Sequence, residues 1–358
     1  MTFSSDDYQQ QLQAKHTQTL AEFAEFGVTE IEVFPSPPQG YRMRAEFKAW
    51  HSAEGVSYAM FEPGSRSAYT VDTFATGSAT IQTLMPRLRD YLNSNDILRH
   101  KLFQIDFLTS TIGESLVTLI YHKPLNDEWQ AQAEIAAQQL QTDIIGRSRG
   151  QKRVLSRDFI YENFNVAGDS YRYQQLEGSF TQPNGYVCRD MLEWAVQNSR
   201  ALGGDLLELY CGNGNFTLPL SRNFNKVLAT EVAKSSIQSA LHNCELNQVN
   251  NITFVRMAAE DITGAFNQVR SYERLKNVAL QDYEFSTVFV DPPRSGMDDA
   301  TNHFVSRFDN ILYISCNPQT LKDNLQLLNK THRIERMALF DQFPYTEHRE
   351  CGVLLRRR

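Results

Sequence analysis

The stretch Leu312-Tyr-Ile-Ser-Cys-Asn-Pro318 puts a thiol in a place suited to chemistry. Tyr313 and Ile314 have the apolar, β-prone character of a buried strand end, and Ser315, Cys316, Asn317 and Pro318 stop that strand. Open α/β sheets place their ligands where strands give way to loops. A lone cysteine most often simply packs in a core, but Cys316 has company. Upstream lie a glycine-rich turn, Glu208-Leu-Tyr-Cys-Gly-Asn-Gly-Asn215, and a second strand-end motif, Asp291-Pro-Pro-Arg294. Downstream lies His348-Arg-Glu350. A nucleophile, carboxyls able to move protons and a backbone cradle are the parts of covalent group-transfer chemistry.

The segment Asp205–Leu220 reads as a strand, a glycine turn and a helix start. Gly212 and Gly214 let the backbone turn tightly and approach a ligand. Glu231 ends the next strand, where a carboxylate can take both ribose hydroxyls of an adenosine. A dinucleotide fingerprint requires a third glycine, and Thr217 stands in its place. The pattern therefore fits S-adenosylmethionine better than a dinucleotide. Asp291 ends a later strand, followed by two prolines that stiffen its loop.

These residues need a rigid frame. Beyond about residue 175, strands and helices alternate: Asp205–Tyr210, Lys226–Thr230, Ile252–Met257, Thr287–Val290, Ile311–Ile314, Arg336–Phe340 and a last strand, Gly352–Leu355, with helices at Ser235–Asn247 and Pro318–Leu328. Alternation of this kind predicts a parallel sheet covered on both faces. Before that point, residues 6–26 read as a helix closed by Gly27, and Pro35, Pro37 and Pro38 force an irregular connection. From Tyr41 the texture is α+β, with strands at Tyr41–Trp50, Ser57–Phe61, Ala68–Phe74, Leu102–Leu108 and Ser115–His122 and helices at Ile81–Asn93 and Glu128–Leu140. Two domains are expected, 1–175 and 176–358.

The 358 residues carry a net charge of −7, which does not exclude a local basic surface. Arg147, Arg149, Lys152, Arg153 and Arg157 follow one another with no acid between Asp143 and Asp158. Arg42, Arg44 and Lys48 share one parity on a strand, and Phe103, Phe107, Tyr121 and His122 are interleaved with basic residues. Cations with flat side chains suit RNA backbone and unpaired bases. The five cysteines form no CxxC pair, which argues against a disulfide framework, a zinc site or an iron–sulfur cluster. No run approaches the about 18 apolar residues of a membrane span, and the first residues do not read as a secretory signal. A cytoplasmic protein with no metal and no obligate protein partner is expected.

Together the motifs E-L-Y-C-G-N-G-N-F, F-V-D-P-P-R-S-G, Y-I-S-C-N-P and F-P-x-T-x-H-x-E resemble those of the RNA uracil-5-methyltransferases. Tyr41–Phe47, Leu98–Leu108 and Ser179–Asn184 extend the resemblance, essentially over the full length, to the branch acting on tRNA and tmRNA. The ribosomal RNA branch typically carries an N-terminal extension and four cluster cysteines, which this sequence lacks; the same reaction on ribosomal RNA is the alternative. The cytosine enzymes carry a Pro-Cys where Asp291-Pro292-Pro293 stands here.

The resemblance implies a class I, Rossmann-like methyltransferase domain preceded by an α+β RNA-binding domain. It implies methyl transfer from S-adenosylmethionine to C5 of a uridine in the T-loop of tRNA. Cys316, as thiolate, would add to uracil C6 and make C5 enolate-like, so the site is expected to favour the thiolate. Glu350 would remove the C5 proton, with Glu347 as the rival. Gln182, Tyr210, Asn215, Glu231 and Asp291 would line the cofactor site. Phe103 and His122 are expected to stack against the opened RNA loop.

Overall fold

The structure is a computed structural model that describes residues 5–358 except 63 and 66. The described residues divide into two compact units: those within 5–36, 164–173 and 186–358 form one, and those within 37–163 and 174–185 the other. A single cut near residue 175 does not reproduce this division. The first helix, Ser5–Phe23, belongs with the C-terminal half, and its continuation supplies Phe23 and Phe26 to that unit's core.

The first unit is built on eight strands: β1 (Glu32–Phe34), β2 (Asp205–Leu209), β3 (Val227–Thr230), β4 (Ile252–Val255), β5 (Phe285–Val290), β6 (Asn310–Ser315), β7 (His332–Phe340) and β8 (Glu350–Arg357). Their order in the sheet is β1-β7-β8-β6-β5-β2-β3-β4. The period of two along each strand sends alternate side chains to opposite faces. Leu207, Leu209, Val288, Val290, Ile311 and Tyr313 enter one apolar core, and Leu206, Phe289, Leu312 and Ile314 enter the other. Both faces are thus buried, which is why these strands read as near-continuous apolar runs. The helix Pro318–Leu328 covers the first face with Leu321, Leu325 and Leu328. The helix Gly185–Ser199 covers the second with Val187, Met191, Leu192 and Trp194.

The strands from β2 outward through β3 and β4 are parallel, and the chain then returns to lay β5 on the other side of β2. Strand order reverses at β2, and the carboxyl edge beside such a reversal is where open α/β sheets bind ligands. One strand departs from the parallel expectation: β8 runs antiparallel to both β6 and β7. Only residues 341–349 join β7 to β8. That is too short for a crossover helix, so the chain must reverse.

The second unit is a seven-stranded sheet in the order Ala68–Val71, Gly55–Phe61, Arg44–Ser52, Leu102–Thr109, Ser115–Tyr121, Asp143–Ser148, Gln151–Val154. Its pairs are antiparallel except that of Ser115–Tyr121 with Asp143–Ser148, which the helix Asp127–Leu140 bridges. Phe47, Tyr58, Ile105, Phe107, Leu119 and Trp129 fill the core on one face. The strands between residues 143 and 176 lie outside the sequence-based expectation, although Phe159–Val166 buries Ile160, Glu162, Phe164 and Val166 in strict alternation. Turn chemistry was a further signal: Gly150 at φ +73, and Ala167-Gly168 at φ +52 and +91, close tight hairpins. Among the described residues no helix is long and apolar enough to cross a membrane.

Asp205, 3% exposed, ties the starts of three strands together. Its carboxylate accepts from the Lys226 N–H at 2.9 Å and the Glu284 N–H at 2.7 Å. Asp205→Ala leaves two N–H groups without acceptors and should cost about 2–4 kcal/mol, read as a lower urea midpoint at unchanged slope. Asp205→Asn, which keeps one acceptor, should fall between.

Candidate functional site

At the end of β2 the backbone makes its turn through Tyr210, Gly212 and Gly214 at φ +63, +55 and +83. A Cβ on Gly214 would lie 2.7 Å from Leu218 Cδ1, so the second glycine is needed for close packing as well as for its conformation. A Cβ on Gly212 would meet nothing within 4 Å, which leaves the turn open on that side. Glu231, one residue past β3, is tied to the turn: Oε2 accepts from the Gly212 N–H at 3.1 Å and Oε1 from the Ala233 N–H at 2.8 Å. Each oxygen keeps a further lone pair. Asn215 is half-buried, and its carbonyl accepts from the Tyr173 hydroxyl at 3.0 Å. Burial pushes the Tyr210 phenol up, with Glu260 and Asp298 adding to it. Tyr210, Asn215 and Glu231 therefore gather on one glycine turn at the strand-order reversal. Asp291 follows β5, the neighbour of β2. Among the described residues its carboxyl makes no side-chain hydrogen bond, and burial pushes it up to about 7. An open glycine turn, a strand-end carboxylate with spare lone pairs and a carboxyl without a protein partner suit S-adenosylmethionine, whose ribose and amino group need acceptors.

Cys316 and Glu350 come together through the antiparallel pairing of β6 and β8. Ser315 pairs with Cys351, so the next position outward sets Cys316 opposite Glu350. Both stand at the carboxyl edge of the sheet, where Asp291 also stands. Cys316 is half-buried, whereas the other four cysteines are buried. Glu350 is 3% exposed and paired across its other side with Phe340. The rival Glu347 lies exposed in the connection before β8.

Two loops are stapled at this edge. Asn317 caps the helix Pro318–Leu328 by accepting from the Gln319 N–H at 3.1 Å, and Pro318 occupies the first turn. The Asn317 side chain also donates to the Arg294 carbonyl at 3.0 Å, and the Thr320 hydroxyl reaches the same carbonyl at 3.3 Å. Arg294 Nη2 donates to His348 Nδ1 at 3.1 Å. An Asn-Pro after a strand is a recognisable helix start, but the Arg294–His348 contact has no signature in sequence spacing.

The electrostatics depart from expectation. The Cys316 thiol is pushed up to about 11, first by burial, then by Glu350 and Asp291, against the opposing charge of Arg294. Glu350 is held well above the ordinary carboxylate range by burial and then by Asp291, again opposed by Arg294. Without ligand the protein favours the thiol, not the thiolate. The cause is crowding: two carboxyls and a thiol share a poorly hydrated edge with one guanidinium.

The remaining expected residues lie in the second unit. Gln182 belongs to a segment pinned within that unit, where the Met43 N–H donates to the Pro183 carbonyl at 2.7 Å and Arg42 bridges Asn184. Phe103 and His122 do come together, ring centroids 4.1 Å apart, and Lys48 Nζ stands 3.9 Å above the Phe103 ring. A depression of about 480 Å³ in the same unit is lined by His51, Arg99, His100, Lys101 and Lys123 among others. The basic run fares otherwise. Arg147 and Lys152 hold Glu177, Arg153 holds Asp127, and Arg157 lies between Glu114 and Asp143. Its charge is largely answered within the unit by carboxylates distant in sequence. Among the described residues no three His, Cys, Asp or Glu side chains gather as metal ligands.

A family model described as tRNA (Uracil-5-)-methyltransferase matches residues 7–358. The chain is 55% identical over 354 residues to the tRNA/tmRNA (uracil-C(5))-methyltransferase of Saccharophagus degradans, covering 98% of this chain and 97% of the relative. It is 52% identical over 360 residues to the enzyme of that name from Neisseria meningitidis, covering 98% and 99%. Among solved structures it resembles the Pyrococcus abyssi tRNA (uracil-54, C5)-methyltransferase in complex with S-adenosyl-L-homocysteine. The TM-score is 0.73 at 22% identity, over 97% of this chain and 83% of that one, a likeness of fold.

The raised thiol makes a direct prediction. Alkylation of native protein by iodoacetamide should label Cys316 first, and its rate should rise about tenfold per pH unit towards about pH 11. Arg294→Ala, by removing the opposing cation, should slow that labelling at any fixed pH. A plateau near pH 9 would mean an ordinary thiol.

Proposed function

The chain belongs to the tRNA (uracil-5-)-methyltransferase family, and on that premise we propose that it methylates C5 of a T-loop uridine in tRNA, and the equivalent loop of tmRNA, by covalent catalysis. The observation that carries this reading is the placement of Cys316 opposite Glu350 at the carboxyl edge of the sheet, with Asp291 beside them. S-adenosylmethionine, which Tyr210, Asn215, Glu231 and Asp291 would hold, would supply the electrophilic methyl group and a positive charge that favours the ionised forms of nearby acids.

C5 of uracil is a weak nucleophile. Addition of the Cys316 sulfur to C6 turns it into an enolate-like carbon able to take the methyl group. The C5 proton must then leave. The C5–H electrons form the C5–C6 double bond, the C6–S electrons return to sulfur, and Glu350 takes the proton. A carboxylate raised by burial is a stronger base than one in water, so the crowding that holds protons in the free protein suits Glu350 to this step. The stiff β6–β8 pairing supplies the geometry. Arg294, stapled to the Cys316 loop, supplies a positive charge next to the developing thiolate.

The second unit is read as the RNA-holding part. Lys48, Phe103 and His122 offer a cation with two flat rings, and stacking on such rings is how single-stranded bases are held once extruded. Phe103→Ala and His122→Ala should each raise KM for tRNA about tenfold with little change in KM for S-adenosylmethionine.

The primary test is methyl transfer from labelled S-adenosylmethionine to unmodified tRNA transcript, with ribosomal RNA as a second acceptor. Cys316→Ala should abolish transfer. Transcript carrying 5-fluorouridine should give a protein–RNA adduct that survives denaturation, because fluorine cannot leave as a proton. Glu350→Gln should build up an adduct on ordinary tRNA. Because Cys316 and Glu350 act deprotonated and are both raised, kcat/KM should keep climbing with pH towards about 11, past the range where an ordinary thiol would level off. Transfer that survives Cys316→Ala would sink the covalent reading, and preference for ribosomal RNA would move the substrate.

A further inference from the structure

Residues 341–349, which join β7 to β8, deliver Glu350 to its place, and one face of the helix Ser5–Phe23 grips them. Gln11, Lys15, Thr19 and Glu22 are spaced four, four and three apart, which lines them up along one side of a helix. All four hold the connection. Gln11 Oε1 accepts from the Tyr345 N–H at 2.6 Å, and its Nε2 donates to the Thr346 carbonyl at 3.1 Å. Lys15 Nζ donates to Asp341 Oδ1 at 2.7 Å and to the Phe343 carbonyl at 3.0 Å. Arg349 donates to the Thr19 hydroxyl at 3.0 Å and to the Glu22 carboxylate at 2.8 and 3.1 Å.

Both ends of the connection, Asp341 and Arg349, are therefore ion-paired to the same helix. The first pair is deeply buried: Lys15 is 4% exposed and Asp341 0%. Such a pair adds little net stability over a well-packed apolar one, so its use lies in fixing geometry. Tyr345, inside the connection, sits at φ +61, a backbone conformation that a residue with a side chain keeps only when its surroundings impose it. Arg349 immediately precedes Glu350, and the Asp341 N–H is bonded to the Phe34 carbonyl of β1 at 3.0 Å.

We propose that the helix Ser5–Phe23 is a positioning clamp for the proton-accepting step, with Lys15 and Glu22 as positioning residues that act through Asp341 and Arg349 to hold the Glu350 carboxylate opposite Cys316. The proposal rests on the reading of Glu350 as the acceptor of the C5 proton. Loosening the clamp leaves Cys316 addition and methyl transfer in place and slows only the loss of the C5 proton and the release of sulfur. The C5–H bond breaks late, its electrons are late in reforming the double bond, and enzyme accumulates as methylated adduct.

The test compares Glu22→Gln, Lys15→Met and Lys15→Arg with wild type and with Glu350→Gln. For each, kcat, both KM values and the fraction of tRNA in a denaturation-resistant adduct during turnover are measured. Glu22→Gln removes a half-exposed charge and leaves the buried Lys15–Asp341 pair intact, so it keeps the proposal testable should Lys15→Met not fold. The expected result for Glu22→Gln is a kcat about tenfold lower, both KM values within about twofold of wild type, and more adduct than wild type. Lys15→Met should behave alike, and Lys15→Arg should recover both kcat and the low adduct level. An unchanged kcat, or a lower kcat with no more adduct than wild type, overturns the clamp. Absence of adduct from Glu350→Gln itself would instead bring down the reading of Glu350, which separates the two failures.

Discussion

The antiparallel pairing of β6 with β8 is the constraint on which the site depends. In a fully parallel sheet every strand ends at the same edge, and a residue at the start of a strand lies at the opposite edge from the ligands. Reversal of β8 brings the start of that strand, Glu350, to the edge where β5 and β6 finish with Asp291 and Cys316. The reversal comes from a connection too short to cross over. Ladder hydrogen bonds on both sides of β8 then fix the strand that begins at Glu350: Glu350 pairs with Phe340 of β7, and the next residue, Cys351, pairs with Ser315 of β6.

That rigidity has an electrostatic consequence. Carboxyls on free loops would drift apart or towards water, but Asp291 and Glu350 have nowhere to go, and the thiol stands beside them. Burial raises all three, Asp291 further raises the proton affinity of Glu350 and Cys316, and Glu350 further raises that of Cys316. The protein alone is a proton-loaded site with one nearby guanidinium.

The second unit shows why a run of basic residues is a poor guide to a nucleic-acid surface. Arg147, Lys152, Arg153 and Arg157 lie on adjoining strands and loops whose neighbours supply Glu177, Asp127, Glu114 and Asp143. Three of those acids lie outside the run by 20 residues or more, so linear spacing hides them. The cluster of Lys48, Phe103 and His122 is scattered in sequence yet gathered by strand pairing, since Lys48 sits opposite Gln104 in the ladder.

The sequence by itself determined the parallel α/β core, because strands buried on both faces must be apolar throughout, and helices such as Pro318–Leu328 announce their own caps. It also determined which side chains are chemically able: a strand-end thiol, strand-end acids and a glycine turn are local patterns. Four matters were decided only by the tertiary structure. They are the reversal of β8, the approach of Glu350 to Cys316, the upward shift of the thiol, and the attachment of the first helix to the connection before Glu350. Each depends on groups far apart in the chain. Lys15 and Asp341 are separated by 326 positions, and no periodicity or spacing can report a contact that exists only once the chain has closed on itself.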